Sequence, residues 1–515
     1  MAETKLGLDD FLLSHSVDEL LALPTADTND PRFQAFNQDY LKWKLESDKP
    51  IEDIGFRHYT DLGNGERLAL RQRDETGNYM IHYSNDAGWR YWDGHRWKID
   101  TTSEVGRRAV HAVRLIPKEA DNVNDKDERE KIFTWATRSE AAARISSMIE
   151  MARLVPGVSV ESDIWDKDQF LLNFQNGTMD LNTGELRAHR REDFITKCLD
   201  YDFDPDAQCP VWDKFLDRVQ PNELTRRYLL KAAAYCLSGS IDEQCVFILH
   251  GEGENGKTKF LEGVFYALGG DSEYAGVMPT ESLMIRNNND TAHEIAMLKG
   301  KRFIYAVEPN SDSTFNSSFI KQQTGGEQVM GRHLYKDFFT FMPTHKLWIG
   351  ANHDVKLAES DHGIQRRLKQ TPFGVTITSE EKDGALKDKL VAERQGIMAC
   401  LVKYWLIYKQ EGLTMPPEVV EETKEYFDRV NPLKAFIDEC CNHGEHISEL
   451  RSNIHKSYVI WSKNAGDYKP MKRLAFYARL KEQGFKTKIL DGTEFFIGLA
   501  LKEPENADQQ PWYSN

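Results

Sequence analysis

The 515-residue sequence predicts an α/β fold of several domains, and three observations carry that prediction. An apolar run, Cys245-Val-Phe-Ile-Leu249, leads directly into Gly251-Glu-Gly-Glu-Asn-Gly-Lys-Thr258 and then into a helical pattern over residues 259–268. Two further apolar runs, Lys301-Arg-Phe-Ile-Tyr-Ala-Val307 and Lys346-Leu-Trp-Ile-Gly-Ala351, each stop at one polar residue, Glu308 and Asn352. Aromatic-rich alternating runs precede this core, and a helix-rich basic stretch follows it. Buried strands spaced by helical segments read as a parallel sheet.

Residues 1–60 read as a helical lead-in, with a largely apolar stretch at 11–23, a turn at 24–31 and a charged helix over 33–45. Residues 61–120 read as a small β-rich module containing Tyr79-Met-Ile-His-Tyr83 and Trp89-Arg-Tyr-Trp-Asp-Gly-His-Arg-Trp97, with Asp-Gly as the hairpin turn. Its Trp cluster could stack bases or fill the core of the sheet, and its density favours the core. Residues 121–240 read as a mixed, mainly helical adaptor or collar: a helix over 125–165, a hairpin over 170–186 turning at Asn182-Thr-Gly184, and one helical segment over 211–238. Residues 241–425 then hold the sheet domain and 426–515 a closing unit. No repeat or low-complexity stretch appears beyond the polar Asn287-Asn-Asn-Asp290.

The formal net charge of −16 argues against coating nucleic acid with the whole surface, since that mode needs many Lys and Arg contacts to phosphate. Any nucleic-acid contact must therefore use local basic groups. No run of 18 apolar residues is present, and the first residues lack the basic and apolar regions of a signal peptide. A cytoplasmic protein without a membrane partner is expected. Seven cysteines without a C-x-x-C pair suit a reducing compartment, and the adjacent Cys440 and Cys441 are expected to pack in a helix.

The segment 251–258 matches G-x-x-x-x-G-K-[ST] in its proper strand–loop–helix setting. Gly251, Gly253 and Gly256, with Glu254 and Asn255 between them, let backbone N–H groups wrap a phosphate; Lys257 serves the terminal phosphates and the Thr258 hydroxyl serves Mg²⁺. The expected ligands are ATP and Mg²⁺. Glu308, at a strand tip beside this loop, can share the metal shell with Thr258 and orient the attacking water. Asn352 can hydrogen-bond the γ-phosphate or the lytic water. Asp361-His-Gly-Ile-Gln-Arg-Arg-Leu368 offers Arg366 and Arg367, one of which is expected to stabilise transition-state charge on a neighbouring copy. Between these lies a helix, a Gly-Gly break and two β-like runs whose connection carries Arg332, His333, Tyr335 and Lys336, a device suited to gripping a single strand.

In this order the segments resemble superfamily 3 helicases, and within them the phage and plasmid primase-helicase family that includes the poxvirus helicase-primase. The likeness runs from about residue 170 to 501. It rests on Asn176-Gly-Thr-Met-Asp-Leu-Asn-Thr-Gly-Glu185, Tyr201-Asp-Phe-Asp-Pro-Asp-Ala207, Cys209-Pro-Val-Trp-Asp-Lys-Phe-Leu216, the loop 251–258, Thr324-Gly-Gly326, Lys346 to Asn352 and Gly363-Ile-Gln-Arg-Arg367. The resemblance implies an AAA+-like P-loop ATPase core with a C-terminal winged helix. It implies a hexameric ring moving 3′ to 5′ on single-stranded DNA in the replication of a phage, plasmid or mobile element, with each ATP site between two protomers. Lys257, Thr258, Glu308 and Asn352 would then serve one face of that site, Arg366 or Arg367 the other, and Arg332, His333 and Lys336 the pore. One departure is Val307, where many members carry a second acid.

After Asn431-Pro-Leu-Lys-Ala-Phe-Ile-Asp438 come helical runs and a hairpin over 488–499, with Lys469, Lys472, Arg473, Arg479, Lys481, Lys486 and Lys488 making the most basic stretch. Origin or fork DNA is the expected ligand there, although such modules also bind proteins. The resemblance implies that longer members carry an N-terminal primase with its own metal-binding carboxylates, whereas the roughly 170 residues before the matching region read as a lead-in and a small β module; no primer synthesis by this chain alone is expected, and the chain could be a piece of a longer protein or work with a separate primase. An ATP-regulated initiator or defence switch is the alternative reading, and a small-molecule kinase a third.

Overall fold

A computed structural model describes residues 58–285, 292–307, 314–332, 337–357, 362–430, 432–464 and 470–502. The expected lead-in helices, the Asn287 to Asp290 run, Glu308, His333, Tyr335, Lys336 and Lys469 lie outside the described residues. The chain divides into two compact units, 1–165 and 166–515.

The first unit holds α1 (Asp61–Arg71), β1 (Ile81–Ser84), β2 (Gly88–Trp92), β3 (Trp97–Ile99), α2 (Glu104–Arg114), α3 (Lys126–Ser139) and α4 (Ala142–Ala152). The strands pair antiparallel in the order β1-β2-β3. The β-rich expectation for 61–120 is thereby corrected, because two helices flank the strands. Gly63 and Gly65 lie inside α1, which Thr60 caps by accepting from the Gly63 N–H at 3.0 Å. A Cβ on Gly65 would lie 2.7 Å from the Ala152 nitrogen, so this glycine admits the close approach of α4. Packing offsets the roughly 1 kcal/mol of helix propensity that a glycine costs. Trp97 is buried among His82, Trp92 and Trp165, so the aromatic cluster fills a core.

The second unit opens with β4 (Leu171–Phe174), β5 (Gly177–Asp180) and β6 (Glu185–Arg187), three antiparallel strands where two were expected. The single helix expected over 211–238 is two helices, α5 (Pro210–Val219) and α6 (Glu223–Tyr235). Pro221 intervenes, and the Asn222 side chain caps α6 by accepting from Leu224 and Thr225 N–H groups.

A five-stranded parallel sheet forms the centre of this unit, in the order β13 (Leu368–Pro372), β7 (Val246–His250), β12 (Lys346–Ala351), β9 (Phe303–Val307), β8 (Ala275–Val277). Both faces are covered, as near-continuous apolar strands require. Phe247 and Leu249 point into one core with Trp348, Trp212 of α5 and Tyr235 of α6; Val246 and Ile248 point into the other with Ile304, Ile349, Phe319 of α8 (Ser317–Thr324) and Tyr426. Helices α5 and α6 thus belong to the sheet's own core. The boundary expected at 240/241 falls inside one compact unit, and the observed division comes after Trp165.

Just before β12, His345 is 1% exposed and neither ring nitrogen makes a hydrogen bond. Burial, with the neighbouring Lys346 charge adding to it, pushes this imidazole down to about 3. The unfolded chain takes up this proton near pH 6.5 and the folded chain only near 3, so stability should fall as pH drops through that window. Thermal melts at pH 7 and pH 5 should show a smaller acid loss for His345→Leu than for the parent chain; equal losses would remove His345 as the cause.

The last part contains α11 (Pro432–Cys440), β14 (Cys441–Leu450), α12 (Arg451–Asn464), α13 (Arg473–Glu482), β15 (Thr487–Leu490) and β16 (Thr493–Leu501), reached through α9 (Arg394–Glu411) and α10 (Pro417–Arg429). The strands pair antiparallel as β14-β16-β15 around a separate core of Phe436, Ile454, Tyr458, Phe476, Leu480 and Phe496. Cys440 ends a helix and Cys441 begins a strand, so the pair does not share the helix expected for it. Among the described residues no helix is long and apolar enough to cross a membrane.

Candidate nucleotide site

In sheet order the chain runs 5-1-4-3-2, so the connections from β7 and from β12 leave in opposite directions. The gap beyond the carboxyl ends of these two neighbours is the topological switch point, where open α/β sheets bind ligands. The loop 251–256 and Asn352 both start there, since His250 is in register with Ala351.

The loop is held from several sides. Gly251 N–H donates to Ala351 O at 3.3 Å, Phe373 N–H to His250 O at 2.7 Å and Ile377 N–H to Glu254 O at 2.8 Å. Asn255 Nδ2 donates to Phe373 O at 3.1 Å. A Cβ on Gly251 would sit 2.3 Å from that same carbonyl oxygen, and one on Gly256 2.6 Å from Val219 of α5. Gly256 also has φ +88, a left-handed conformation that side chains disfavour. Glu254 adopts φ +53 at the loop's exposed turn, where it pairs with Lys382 at 2.5 Å. Gly253, with φ +23, meets nothing within 4 Å.

Helix α7 (Lys257–Ala267) follows, with no side-chain cap at its N-terminus. Its first-turn N–H groups are therefore not occupied by a capping oxygen, and the helix dipole favours an anion there. Lys257 is 5% exposed and donates to Gly251 O at 2.6 Å and Asn255 Oδ1 at 2.8 Å, so its ammonium lies folded into the loop. Thr258 is exposed in the same first turn. Asn352 is half-buried directly after β12, and β9, which precedes Glu308, ends at Val307 on the far side of β12.

The two arginines separate cleanly. Arg367 is buried, with Nε donating to Thr324 Oγ1 at 3.0 Å and Nη1 to Gly363 O at 2.7 Å. Arg366 is exposed and donates to Gln244 Oε1 at 3.0 Å. It precedes β13, whose Leu368 is level with Val246, so it stands at the opposite end of the sheet from the loop. At about 3.3 Å per residue the gap is roughly 15–20 Å, beyond the reach of one side chain.

β10 (Val329–Arg332) and β11 (Phe338–Phe341) form the expected hairpin, with Arg332 opposite Phe338 and stacked on its ring at 5.0 Å. Met330, Arg332, Phe338 and Thr340 share its exposed face. In the last module Lys472 and Arg473 are exposed at the start of α13, and Arg479 is half-buried in its last turn.

Sequence reasoning missed the groups that brace the site. Phe373 and Ile377 act through backbone atoms and leave no side-chain signal. His250, Asp354, Glu422 and Arg429 form a polar cluster beside the loop, and the Asp354 carboxylate holds the Arg429 guanidinium above its ordinary range. The positions of His250 directly before the loop and Asp354 two residues after Asn352 were the available hints.

Fold and site together define a mixed α/β protein with a glycine-rich loop at the switch point of a parallel sheet. Residues 69–221 match the family described as D5 N terminal like, and residues 249–367 match a family of unknown function, DUF5906. These matches, with the relatives below, support kinship with D5-type primase-helicases. It is 31% identical over 297 residues to a mimivirus protein (Acanthamoeba polyphaga mimivirus) named as a candidate helicase, L207/L206, covering 53% of this chain and 31% of that one. It is 26% identical over 245 residues to the similarly named 022R of Frog virus 3, covering 44% and 25%. A protein of African swine fever virus named as a candidate primase, C962R, is 24% identical over 301 residues, covering 53% and 31%. The matched part is thus a third or less of each relative's length. The solved C-terminal region of NrS-1 aligns with 62% of this chain and 88% of its own at 10% identity, with a TM-score of 0.37.

Proposed function

We propose that this chain is an ATP-dependent helicase that moves on single-stranded DNA as a ring, with 3′ to 5′ polarity, during replication of a viral, phage, plasmid or mobile element. The observation that carries the reading is the loop 251–256 at the switch point, with the Lys257 ammonium folded into it and an uncapped helix behind it. Such a cradle fits a triphosphate, since Gly251 and Gly256 leave no space for a Cβ and the helix terminus offers N–H donors. Mg²⁺ with ATP, when bound, supplies the electrophilic γ-phosphoryl group and part of the charge compensation.

The chain's own residues divide the remaining work. Lys257 holds the terminal phosphates, Thr258 and Glu308 serve the metal, and Asn352 orients water or the γ-phosphate. Arg366 completes the site of a neighbouring copy, because within its own protomer it stands at the wrong end of the sheet. The buried Arg367 instead fixes the turn around Gly363. Arg332, His333 and Lys336 grip single-stranded DNA in the pore, an assignment supported by the exposed cationic and aromatic face of the hairpin. Lys472, Arg473 and Arg479 bind fork or origin duplex, supported by the helix–strand–helix–helix–hairpin order around α13, which is that expected of a winged helix.

The test is unwinding of a duplex with either a 3′ or a 5′ single-stranded tail. Unwinding from the 3′ tail supports the reading, and preference for the 5′ tail would reverse the polarity. Lys336→Ala should keep basal hydrolysis yet lose unwinding; normal unwinding by this variant would remove the hairpin from the pore.

A further inference from the structure

Helix α10 joins the sheet to the C-terminal module, and it carries polar contacts that the loop chemistry does not use. Arg429 Nε donates to Asp354 Oδ2 at 2.5 Å, and its Nη2 to Glu422 Oε1 at 2.8 Å. Gln370 Nε2, on β13, donates to Glu422 Oε1 at 2.9 Å and to Asp354 Oδ1 at 3.4 Å. His250, the last residue of β7, has Nδ1 3.3 Å from Glu422 and Nε2 3.6 Å from Asp354. Two carboxylates are therefore held side by side by groups from β7, β13 and α10. Removing the guanidinium would leave like charges facing each other in a half-buried setting.

The location gives the cluster its meaning. Asp354 follows Asn352 by two residues, and His250 precedes Gly251 by one. Nearby neutral contacts fix the same helix: Tyr426 Oη donates to Val355 O at 2.9 Å, and Thr423 Oγ1 accepts from Gln370 N–H at 2.9 Å. Tyr426 is 1% exposed within the core under the sheet, and Phe427 and Val430 pack against that core. The next helix, α11, begins at Pro432. In sequence, two positions lie between the end of α10 at Arg429 and the start of α11 at Pro432.

We infer that α10 is a coupling strut, in which His250, Asp354, Glu422 and Arg429 act as positioning residues that tie the segments bearing Asn352 and the loop to the C-terminal module. The inference rests on nucleotide binding at the loop 251–258. A shift of the Asn352 segment on nucleotide binding then moves Asp354, and Arg429 carries that shift into α10 and α11. By linkage, a ligand on the C-terminal module changes nucleotide affinity by the same factor.

The test is amide hydrogen exchange on the full chain, with and without Mg²⁺ and a non-hydrolysable ATP analogue, for wild type, Arg429→Ala and Arg429→Lys. Wild type should slow exchange at 251–258 and at 352–357, and should also change it across 432–440. Arg429→Ala should keep the first response and lose the change at 432–440, with Arg429→Lys restoring part of it. If Arg429→Ala transmits like wild type, or if wild type protects the loop without any response at 432–440, the strut is overturned while nucleotide binding stands. If the analogue changes exchange nowhere in wild type, nucleotide binding at the loop fails and the strut fails with it. A loss of protection throughout Arg429→Ala in the absence of nucleotide would mean a folding role, and Arg429→Lys then decides, since normal transmission with only partial pairing would also overturn the strut.

Discussion

Lys257→Ala is expected to lower ATP hydrolysis by roughly two to three orders of magnitude, the scale seen when a preorganised charge-stabilising donor is removed. Lys257 is 5% exposed and its ammonium is already bonded to Gly251 O and Asn255 Oδ1, so it occupies the loop's interior before any ligand arrives. A phosphate that displaces those two oxygens would meet an ammonium that needs little reorganisation. In the alanine variant the N–H groups of the loop and of α7 remain, so analogue binding should weaken less than turnover does. Steady-state hydrolysis and analogue binding, measured side by side, check this. Hydrolysis within a fewfold of wild type would show that the phosphates do not sit in this loop.

Arg366→Ala should be at least as inactive, by about 10³-fold or more if it acts as an arginine finger, and the arrangement of the sheet gives this prediction a distinctive form. Arg366 stands at the end of β13 remote from its own loop, so on the proposed reading the nucleotide it serves is a neighbouring copy's. An inactive Lys257→Ala chain and an inactive Arg366→Ala chain should therefore complement when mixed. With random assembly about a quarter of the head-to-tail interfaces regain both groups. Activity that stays absent in the mixture would argue against a shared site. Arg367→Ala should behave differently, because Nε and Nη1 hold Thr324 and the Gly363 carbonyl. Its loss should lower the melting temperature and should not be rescued by mixing.

Much of the sheet was legible because its strands are apolar runs stopped by one glycine or polar residue. Val246–His250, Phe303–Val307 and Lys346–Ala351 fall within a residue or two of the runs read from sequence. Helix α1 was not legible, since Gly63 and Gly65 signal a loop locally and only the approach of α4 explains them. The membership of α5 and α6 in the sheet's core was also hidden, because Trp212 meets Phe260 only in three dimensions. In the candidate site the loop and Asn352 could be read as motifs. The distinct environments of Arg366 and Arg367 could not, because they depend on Thr324 and Gly363 reaching one guanidinium and not the other. The cluster around Arg429 joins residues 75 and 7 positions away, and such long-range pairing leaves no local pattern.

The central claim is that nucleotide hydrolysis at the loop drives work on DNA. Steady-state ATP hydrolysis by the purified chain, with and without single-stranded DNA and with Lys257→Ala as the blank, tests it most directly. The account predicts clear stimulation by single-stranded DNA that vanishes in the variant. Hydrolysis that depends on Lys257 but is indifferent to DNA would contradict the helicase reading and favour an ATP-regulated initiator or switch, whose duplex site would be sought on the 432–501 module.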